Sequence, residues 1–164
     1  MAFDHRALLS AISLSLVPLG TTGALAAPGD SALIKSRQDK LRDMGGALKA
    51  IDDELKKRNP DWDNAILPNA QTIQSRVSYL LTWYPKGSGP ESNVKTYALP
   101  AIWQKPDDFN KLGKTAQAEA AKLNQIAATK DLSALNAQTI AVGKACKACH
   151  DSYRSPDYEK ENDQ

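Results

Sequence analysis

The chain has 164 residues with 21 basic and 19 acidic side chains, which gives a formal net charge of +2 at pH 7. This near balance gives no reason to expect nucleic acid or a membrane surface as a partner. The length allows one domain with one core and is too short for two. We expect that domain to cover residues 27 to 156, between a leader and a polar tail at residues 157 to 164.

Residues 1 to 26 have the pattern of a secretory signal peptide. Arg6 precedes an apolar run, and an Ala-Leu-Ala sequence ending at Ala26 supplies the small residues of a cleavage site. Pro18 and Gly20 interrupt the apolar run before it reaches the roughly 20 residues that a bilayer span needs, which argues against a membrane anchor. We therefore expect cleavage after Ala26 and, in a bacterial setting, export to the periplasm.

The first predicted helix has the clearest period in the sequence. Its seam positions recur at alternating steps of three and four, which is typical of a helix packed nearly parallel to others. These positions are Ile34, Arg37, Leu41, Met44, Leu48, Ile51 and Leu55. Six of the seven are apolar, and Arg37 is the exception on the face that should point inward. Asp30 or Ser31 can cap the helix, and Asn59-Pro60 ends it.

A second helical pattern follows a loop bounded by Pro60 and Pro68 and stops at the Pro- and Gly-rich stretch from residue 85 to 90. Its apolar side contains Ile73, Val77, Leu80, Leu81 and Tyr84. The connection from there to Pro106 has about twenty residues, longer than compact domains usually leave without a function. Its apolar residues are Val94, Tyr97, Leu99, Ile102 and Trp103. We expect this connection to fold back over the bundle or over a bound cofactor.

Two more helices complete the pattern. The third is rich in alanine and starts near Asp107 or Asp108, with an apolar side formed by Phe109, Leu112, Ala116, Ala120, Leu123 and Ile126. Asp131 or Ser133 opens the fourth, and Ser155-Pro156 ends it. The apolar side of the fourth helix runs through Leu135, Val142, Cys146, Cys149 and Tyr153. With an aromatic content of 6% and no alternating β-branched runs, the sequence predicts an all-α, antiparallel four-helix bundle.

The most specific motif is the run Cys146-Lys147-Ala148-Cys149-His150 close to the C-terminus. Two thiols three positions apart lie on one face of a helix, where each can add to a vinyl group of a haem. The residue after the second thiol offers an imidazole to the iron. The motif therefore predicts one covalently attached haem c, with His150 as a metal ligand.

Other interpretations of the two cysteines fit less well. A redox-active dithiol of the thioredoxin kind lies at a helix start after a strand, whereas the surroundings here are helical. A structural zinc ion needs about four Cys or His ligands. The chain has two cysteines and two histidines, and His5 lies in the predicted leader. A disulfide or a metal clip completed by carboxylates stays open as the alternative.

The predicted bundle and its motif resemble the class II c-type cytochromes of the cytochrome c′ family. The resemblance rests on Ile-Lys-x-Arg-Gln at residues 34 to 38, Leu-Pro-x-Ile-Trp at residues 99 to 103 before an Asp-x-Phe helix start, and Cys-Lys-Ala-Cys-His-Asp-x-Tyr-Arg at residues 146 to 154. It covers almost the whole mature chain. It implies a haem held in the core of the bundle, with the thioethers on Cys146 and Cys149 and His150 as the proximal ligand.

The resemblance also implies roles for other residues of the site. Arg37 would meet a haem propionate with help from Gln38, and Leu41, four positions after the arginine, would be the distal residue. Arg154 would be the basic residue beside the proximal ligand, and Trp103, with Tyr84 and Trp83, would line the haem crevice. Plainer roles stay open: Arg37 as a surface arginine that reaches out of the seam, Arg154 as a cation at a helix C-terminus, and the aromatic residues as ordinary core.

The sixth iron position depends on the first helix. Once the leader is removed, His150 is the only histidine and Met44 the only methionine in the sequence. Two histidines of one chain therefore cannot bind the iron together. We expect a five-coordinate, high-spin iron beneath the alkyl side chain of Leu41. The alternative is a low-spin electron shuttle in which Met44 is the sixth ligand.

These features predict a periplasmic cytochrome of the c′ class that passes single electrons and binds NO or CO. Catalysis on peroxide needs a distal acid or base, and no histidine is available for it, so we do not expect an enzyme. The expected partner is a redox protein, which the sequence does not identify. The resemblance also implies a homodimer paired through the first two helices, which the sequence itself does not disclose.

Overall fold

The computed structural model describes residues 31–162, in which four long helices form an antiparallel bundle. The helices are α1 (Ser31–Leu55), α2 (Leu67–Val77), α3 (Ala101–Gln104), α4 (Pro106–Thr129), α5 (Leu132–Tyr153) and α6 (Asp157–Asn162). The four long ones are α1, α2, α4 and α5. Shorter turns are a π-helix at Trp62–Ile66 and 3-10 helices at Leu80–Trp83 and Pro90–Ser92. The prediction of an all-α four-helix bundle is confirmed.

Local chemistry explains most of the helix boundaries. The side chain of Asp131 accepts a hydrogen bond from the backbone N–H of Ala134 at 2.9 Å, which caps α5 as predicted. α4 begins at Pro106 instead of at a capping aspartate, because proline suits the first turn and the aspartates at positions 107 and 108 meet the positive end of the helix dipole. Lys130, at φ 57°, ends α4. The predicted cap Asp30 lies outside the described residues.

The second helix differs from its predicted span. α2 starts at Leu67 with Pro68 in its first turn, so this proline begins the helix instead of bounding a loop. The helix ends at Val77, and residues 80–83 continue as a 3-10 turn. Similarly, α1 ends at Leu55, a few residues before the predicted stop, and turns follow. The predicted apolar positions of both segments are nevertheless buried or half-buried, and none is exposed.

The bundle has two halves that differ in packing. In the filled half, the end of α1, the start of α2, the end of α4 and the start of α5 meet in a closed core. Its fully buried side chains are Ile51, Ile66, Ala70, Leu123, Ala127 and Leu135. In the open half, the opposite ends of the same helices surround a cavity. The long connection between α2 and α4 also lies at the open half, since it joins the ends of those helices there.

The predicted polar tail contains a helix that the sequence did not indicate. Residues Asp157–Asn162 form the short helix α6, which packs against the connection between α2 and α4. The ring of Tyr158 meets the ring of Tyr97 edge to face with centroids 5.2 Å apart. Among the helices of residues 31–162, none combines the length and the apolar character needed to cross a bilayer. The predicted signal peptide lies outside the described residues.

Candidate functional site

A cavity of about 840 Å³ lies between α1 and α5 at the open half of the bundle. α1 and α5 contact each other less than α4 and α5 do, because the cavity separates them along this half. Gly45 and Gly46 of α1 and Gly143 of α5 line it, and a Cβ atom at any of the three would have no neighbour within 4 Å. The volume falls in the range of about 300–1,000 Å³ typical of ligand and cofactor sites.

The α5 wall of the cavity carries the predicted haem-attachment motif. Cys146, Cys149 and His150 are half-buried and all line the cavity, because their spacing places them on one side of an uninterrupted helix. Both cysteines are free thiols. Burial raises the pKa of Cys146, and it raises the pKa of Cys149 to about 11, so both sulfurs are neutral at neutral pH.

The imidazole on this wall is also neutral. Burial lowers the pKa of His150, and the positive charge of Arg154 lowers it further, against smaller opposing effects of Glu159 and Asp151. A neutral imidazole keeps a nitrogen lone pair that can bind a metal. Within residues 31–162, the His, Cys, Asp and Glu side chains form no group of three or more that could hold a bare metal ion.

The α1 wall of the cavity has an apolar part next to its polar residues. Leu41 and Met44 both line it, Leu41 half-buried and Met44 8% exposed. Both side chains also pack against the core, Met44 as a member of the buried cluster and Leu41 at its edge. The structure therefore brings both candidates for the distal position to the same cavity as His150.

Arg37 is the most deeply buried charged residue of the site, with 2% of its surface exposed. Its Nη1 donates to the carbonyl oxygen of Trp83 at 3.3 Å and to Oγ of Ser88 at 3.1 Å. Its Nη2 donates to the carbonyl oxygen of Ser88 at 3.0 Å and to Oγ1 of Thr96 at 2.9 Å. The guanidinium carbon lies 4.6 Å from the centre of the Tyr84 ring. Arg37 thus holds the connection between α2 and α4 against α1.

The charge of Arg37 distinguishes it from an ordinary structural arginine. All four of these hydrogen bonds go to neutral oxygens, and the residue lines the cavity. Burial lowers the pKa of Arg37, yet a guanidinium stays protonated in proteins. A buried cation next to a cavity favours an anionic group inside that cavity. The contact of Arg37 with a haem propionate stays a prediction, and the surroundings of Arg37 support it.

The other predicted polar residues of the site also border the cavity. Gln38 lines it and donates from Nε2 to the carbonyl oxygen of Lys95 at 3.1 Å. Arg154 lines it beyond the end of α5, one turn after His150, and pairs with Glu159. Their predicted contacts with a cofactor stay predictions.

The predicted aromatic residues separate into two groups. Tyr84 lines the cavity, whereas Trp103 and Trp83 lie outside its lining. The indole N–H of Trp103 donates to the carbonyl oxygens of Tyr84 and Pro85 at 3.1 and 3.0 Å. Its ring also fills the space that a Cβ at Gly89 would occupy. The structure therefore gives Trp103 a packing role in the connection, and its predicted contact with the cofactor stays untested.

Sequence reasoning missed several residues of this site. Ser88 is 1% exposed and accepts two hydrogen bonds from Arg37, and Thr96 accepts a third. Tyr158 and Glu159 of α6 line the cavity, although a polar tail carried no signal for this. The buried arginine in the first seam was the one available hint, because such a side chain needs several acceptors.

A haem c fits the residues present. The cavity has two free thiols and a neutral imidazole on one wall, the apolar side chains of Leu41 and Met44 on the other, and the buried cation of Arg37 in its lining. These are the groups needed for two thioether bonds, one nitrogen ligand to iron, an apolar ring system and an acidic substituent.

Comparisons with known proteins agree with this fit. A family model described as Cytochrome C' matches residues 32–154. Cytochrome c-554 from Cereibacter sphaeroides is 32% identical over 127 residues, which cover 76% of this chain and 82% of that protein. Cytochrome c' from Rhodospirillum rubrum is 31% identical over 144 residues, which cover 88% and 96%. A solved nitric oxide complex of a cytochrome c prime mutant from Alcaligenes xylosoxidans is 27% identical, with a TM-score of 0.68 over 79% of this chain and 98% of its own.

Proposed function

Because the chain belongs to the cytochrome c′ family, we propose that it is an exported c-type cytochrome whose single covalent haem c passes electrons and binds NO or CO. The observation that carries the proposal is the position of Cys146, Cys149 and His150 on one wall of a cavity that a haem fits. When bound, the haem supplies one-electron chemistry and an iron position for a diatomic ligand.

The residues of α5 would hold the cofactor. The sulfurs of Cys146 and Cys149 would form the thioether bonds, and they suit this role because a thioether is neutral and belongs in their apolar surroundings. His150 would offer a ring nitrogen lone pair to the iron. Arg37 and Gln38 sit at the α1 side of the cavity, where they offer N–H groups to a propionate.

Leu41 contributes an apolar side chain to the α1 side of the cavity. This side chain has no lone pair for an iron ion and no N–H or O–H group for a bound gas, so it supports a five-coordinate, high-spin site. The haem iron would accept NO or CO without a hydrogen-bond donor, and the alkyl group of Leu41 would have to move aside for them. The solved relatives from Alcaligenes xylosoxidans include complexes of leucine variants with nitric oxide and with carbon monoxide.

An electron shuttle with Met44 as the sixth ligand is the second candidate. Met44 lines the same cavity, so its thioether is available on the α1 side. However, Met44 is 8% exposed and belongs to the buried core cluster, which favours a packing role.

The remaining parts of the proposal concern location and partners. Export rests on the predicted signal peptide at residues 1 to 26, and the periplasm is the proposed destination. We propose no catalytic activity. His150 is the only histidine that follows the leader, and since it would bind the iron, no histidine is left to act as a distal acid or base. A solved relative is described as a cytochrome c' with ligand-controlled dimer dissociation, which supports a homodimer here. Pairing through α1 and α2 is the part of this proposal that comes from the family resemblance.

An optical spectrum of the haem-loaded protein tests the choice of ligand. We expect a high-spin pattern in both oxidation states and a shift when CO is added to the reduced protein. The matched variants are Met44→Leu, which should leave the spectrum unchanged, and Leu41→Ala, which should raise the CO association rate at least tenfold. A low-spin spectrum with a sulfur-to-iron band that Met44→Leu abolishes would establish the electron shuttle instead.

A further inference from the structure

α6 forms part of the cavity wall although it follows the region that matches the family model. That region ends at residue 154, and α6 spans Asp157–Asn162. Tyr158 and Glu159 nevertheless line the same cavity as His150. A chain that ended at Pro156 would lack this part of the wall.

α6 holds Arg154 by two different contacts. The guanidinium carbon of Arg154 lies 4.3 Å from the centre of the Tyr158 ring, a cation–π arrangement. Nη2 of Arg154 also donates to a carboxylate oxygen of Glu159. As a result the Arg154 side chain is only 27% exposed, although it follows the last turn of α5.

The connection between α2 and α4 fixes α6 from the other side. The Tyr97 ring packs edge to face on Tyr158, and the Tyr97 hydroxyl donates to Glu161 at 2.8 Å. Lys95 also pairs with Glu161. Since Lys95 and Tyr97 line the cavity too, the connection and α6 close it together.

Backbone hydrogen bonds join the connection between α2 and α4 to the end of α5. The N–H of Ser155 donates to the carbonyl oxygen of Tyr97 at 2.7 Å, and the N–H of Leu99 donates to the carbonyl oxygen of Tyr153 at 2.9 Å. The N–H of Arg154 donates to the carbonyl oxygen of His150 at 3.1 Å. The closed region therefore adjoins the turn that bears the imidazole.

We propose that α6 is a strap that closes the His150 side of the cavity against solvent, with Tyr158 as the positioning residue that keeps Arg154 across that side. The inference rests on the proposed function, because shielding His150 has a consequence for the haem only if this imidazole is the iron ligand. The strap keeps water and small polar molecules away from the imidazole, and the Tyr158 ring covers the guanidinium group of Arg154. It acts through Arg154 and does not itself bind the iron.

Chemical modification of arginine measures how well the strap covers Arg154. Phenylglyoxal reacts with accessible guanidinium groups, and peptide mass spectrometry reports its rate at Arg154 in the haem-loaded protein. We compare the full chain with Tyr158→Ala, Tyr158→Phe and a chain that ends at Pro156. Tyr79→Ala is the matched control, because Tyr79 is 66% exposed and lies outside the cavity lining.

The expected rates follow from the contacts that each variant loses. Modification of Arg154 should be at least fivefold faster in the shortened chain and at least twofold faster in Tyr158→Ala, which keeps the pair with Glu159. Tyr158→Phe keeps the ring over Arg154, so its rate should lie closer to that of the full chain than the rate of Tyr158→Ala does. Tyr79→Ala should match the full chain. Amide hydrogen exchange at Leu99 and Ser155 should accelerate in the same order.

Two results would overturn the strap. One is an Arg154 that reacts equally fast in the full and shortened chains, and the other is unchanged exchange at Leu99 and Ser155 on shortening. Failure of the proposed function is distinguishable, because it would give a colourless full-length protein with no mass added at Cys146 and Cys149.

Discussion

The two halves of the bundle use the same four helices in opposite ways. In the filled half, side chains such as Ile51, Leu123 and Leu135 have no exposed surface and meet in a continuous core. In the open half, glycines and half-buried thiols border a cavity of about 840 Å³. A cavity forfeits the packing contacts that stabilise a core. The filled half is thus complete as a protein core, whereas the open half needs its cofactor to be complete.

Removal of both thiols should have the largest effect and should be confined to the open half. Cys146→Ser combined with Cys149→Ser eliminates both thioether bonds, so we expect a complete loss of covalently bound haem by mass and by absorbance. Amide exchange should accelerate in the open half, while the amides around Ile66 and Leu123 keep their protection. Uniform loss of protection along all four helices would show that the halves are not independent.

A cavity made in the filled half should cost stability whether or not haem is bound. Leu123 is fully buried, so Leu123→Ala should lower the free energy of unfolding by about 2–5 kcal/mol, measured by denaturant titration. The control is Leu132→Ala, since Leu132 is 43% exposed and should change that free energy by less than about 0.5 kcal/mol. Equal losses for the two leucines would contradict the filled core.

Loss of the Arg37 side chain should have a smaller effect on the open half. Arg37→Met removes the donors that satisfy the carbonyl oxygens of Trp83 and Ser88, and it should lower the free energy of unfolding by about 1–3 kcal/mol. Hydrogen exchange should accelerate in the connection between α2 and α4. The matched control is Arg42→Met, because the side chain of Arg42 is 65% exposed and pairs with Asp39 on the surface. A variant that is as stable as the parent would refute the role of Arg37 in holding the connection.

The smallest expected effect concerns acid stability at the filled end. The Glu54 carboxylate accepts hydrogen bonds from Nζ of Lys57 at 2.5 Å and from the backbone N–H of Asp61 at 2.9 Å, and these bonds lower its pKa. A lowered pKa in the folded state means that stability is present above the ordinary pKa of glutamate and is lost as the pH falls through the lowered value. The melting temperature should therefore decrease less steeply between neutral and acidic pH for Glu54→Gln than for the parent. Parallel curves would show that this carboxylate contributes nothing to acid sensitivity.

The sequence determined the four long helices and the candidate haem-attachment group, because both depend on residues close together in the chain. The seam from Ile34 to Leu55 needs only a repeat of three and four, and no residue of that seam is exposed in the structure. Cys146, Cys149 and His150 lie within five consecutive residues, so one helix suffices to bring them together.

Only the tertiary structure decided which segments surround the cavity of the open half. The acceptors of Arg37 lie 46 to 59 residues further along the chain, and their burial follows from the path of an aperiodic connection. Likewise, Tyr158 reaches the cavity because α6 meets Tyr97, a contact that no local pattern in a polar tail encodes. Periodicity reports which face of a helix is buried, but hydrogen bonds and ring contacts between distant segments depend on where the whole chain brings them.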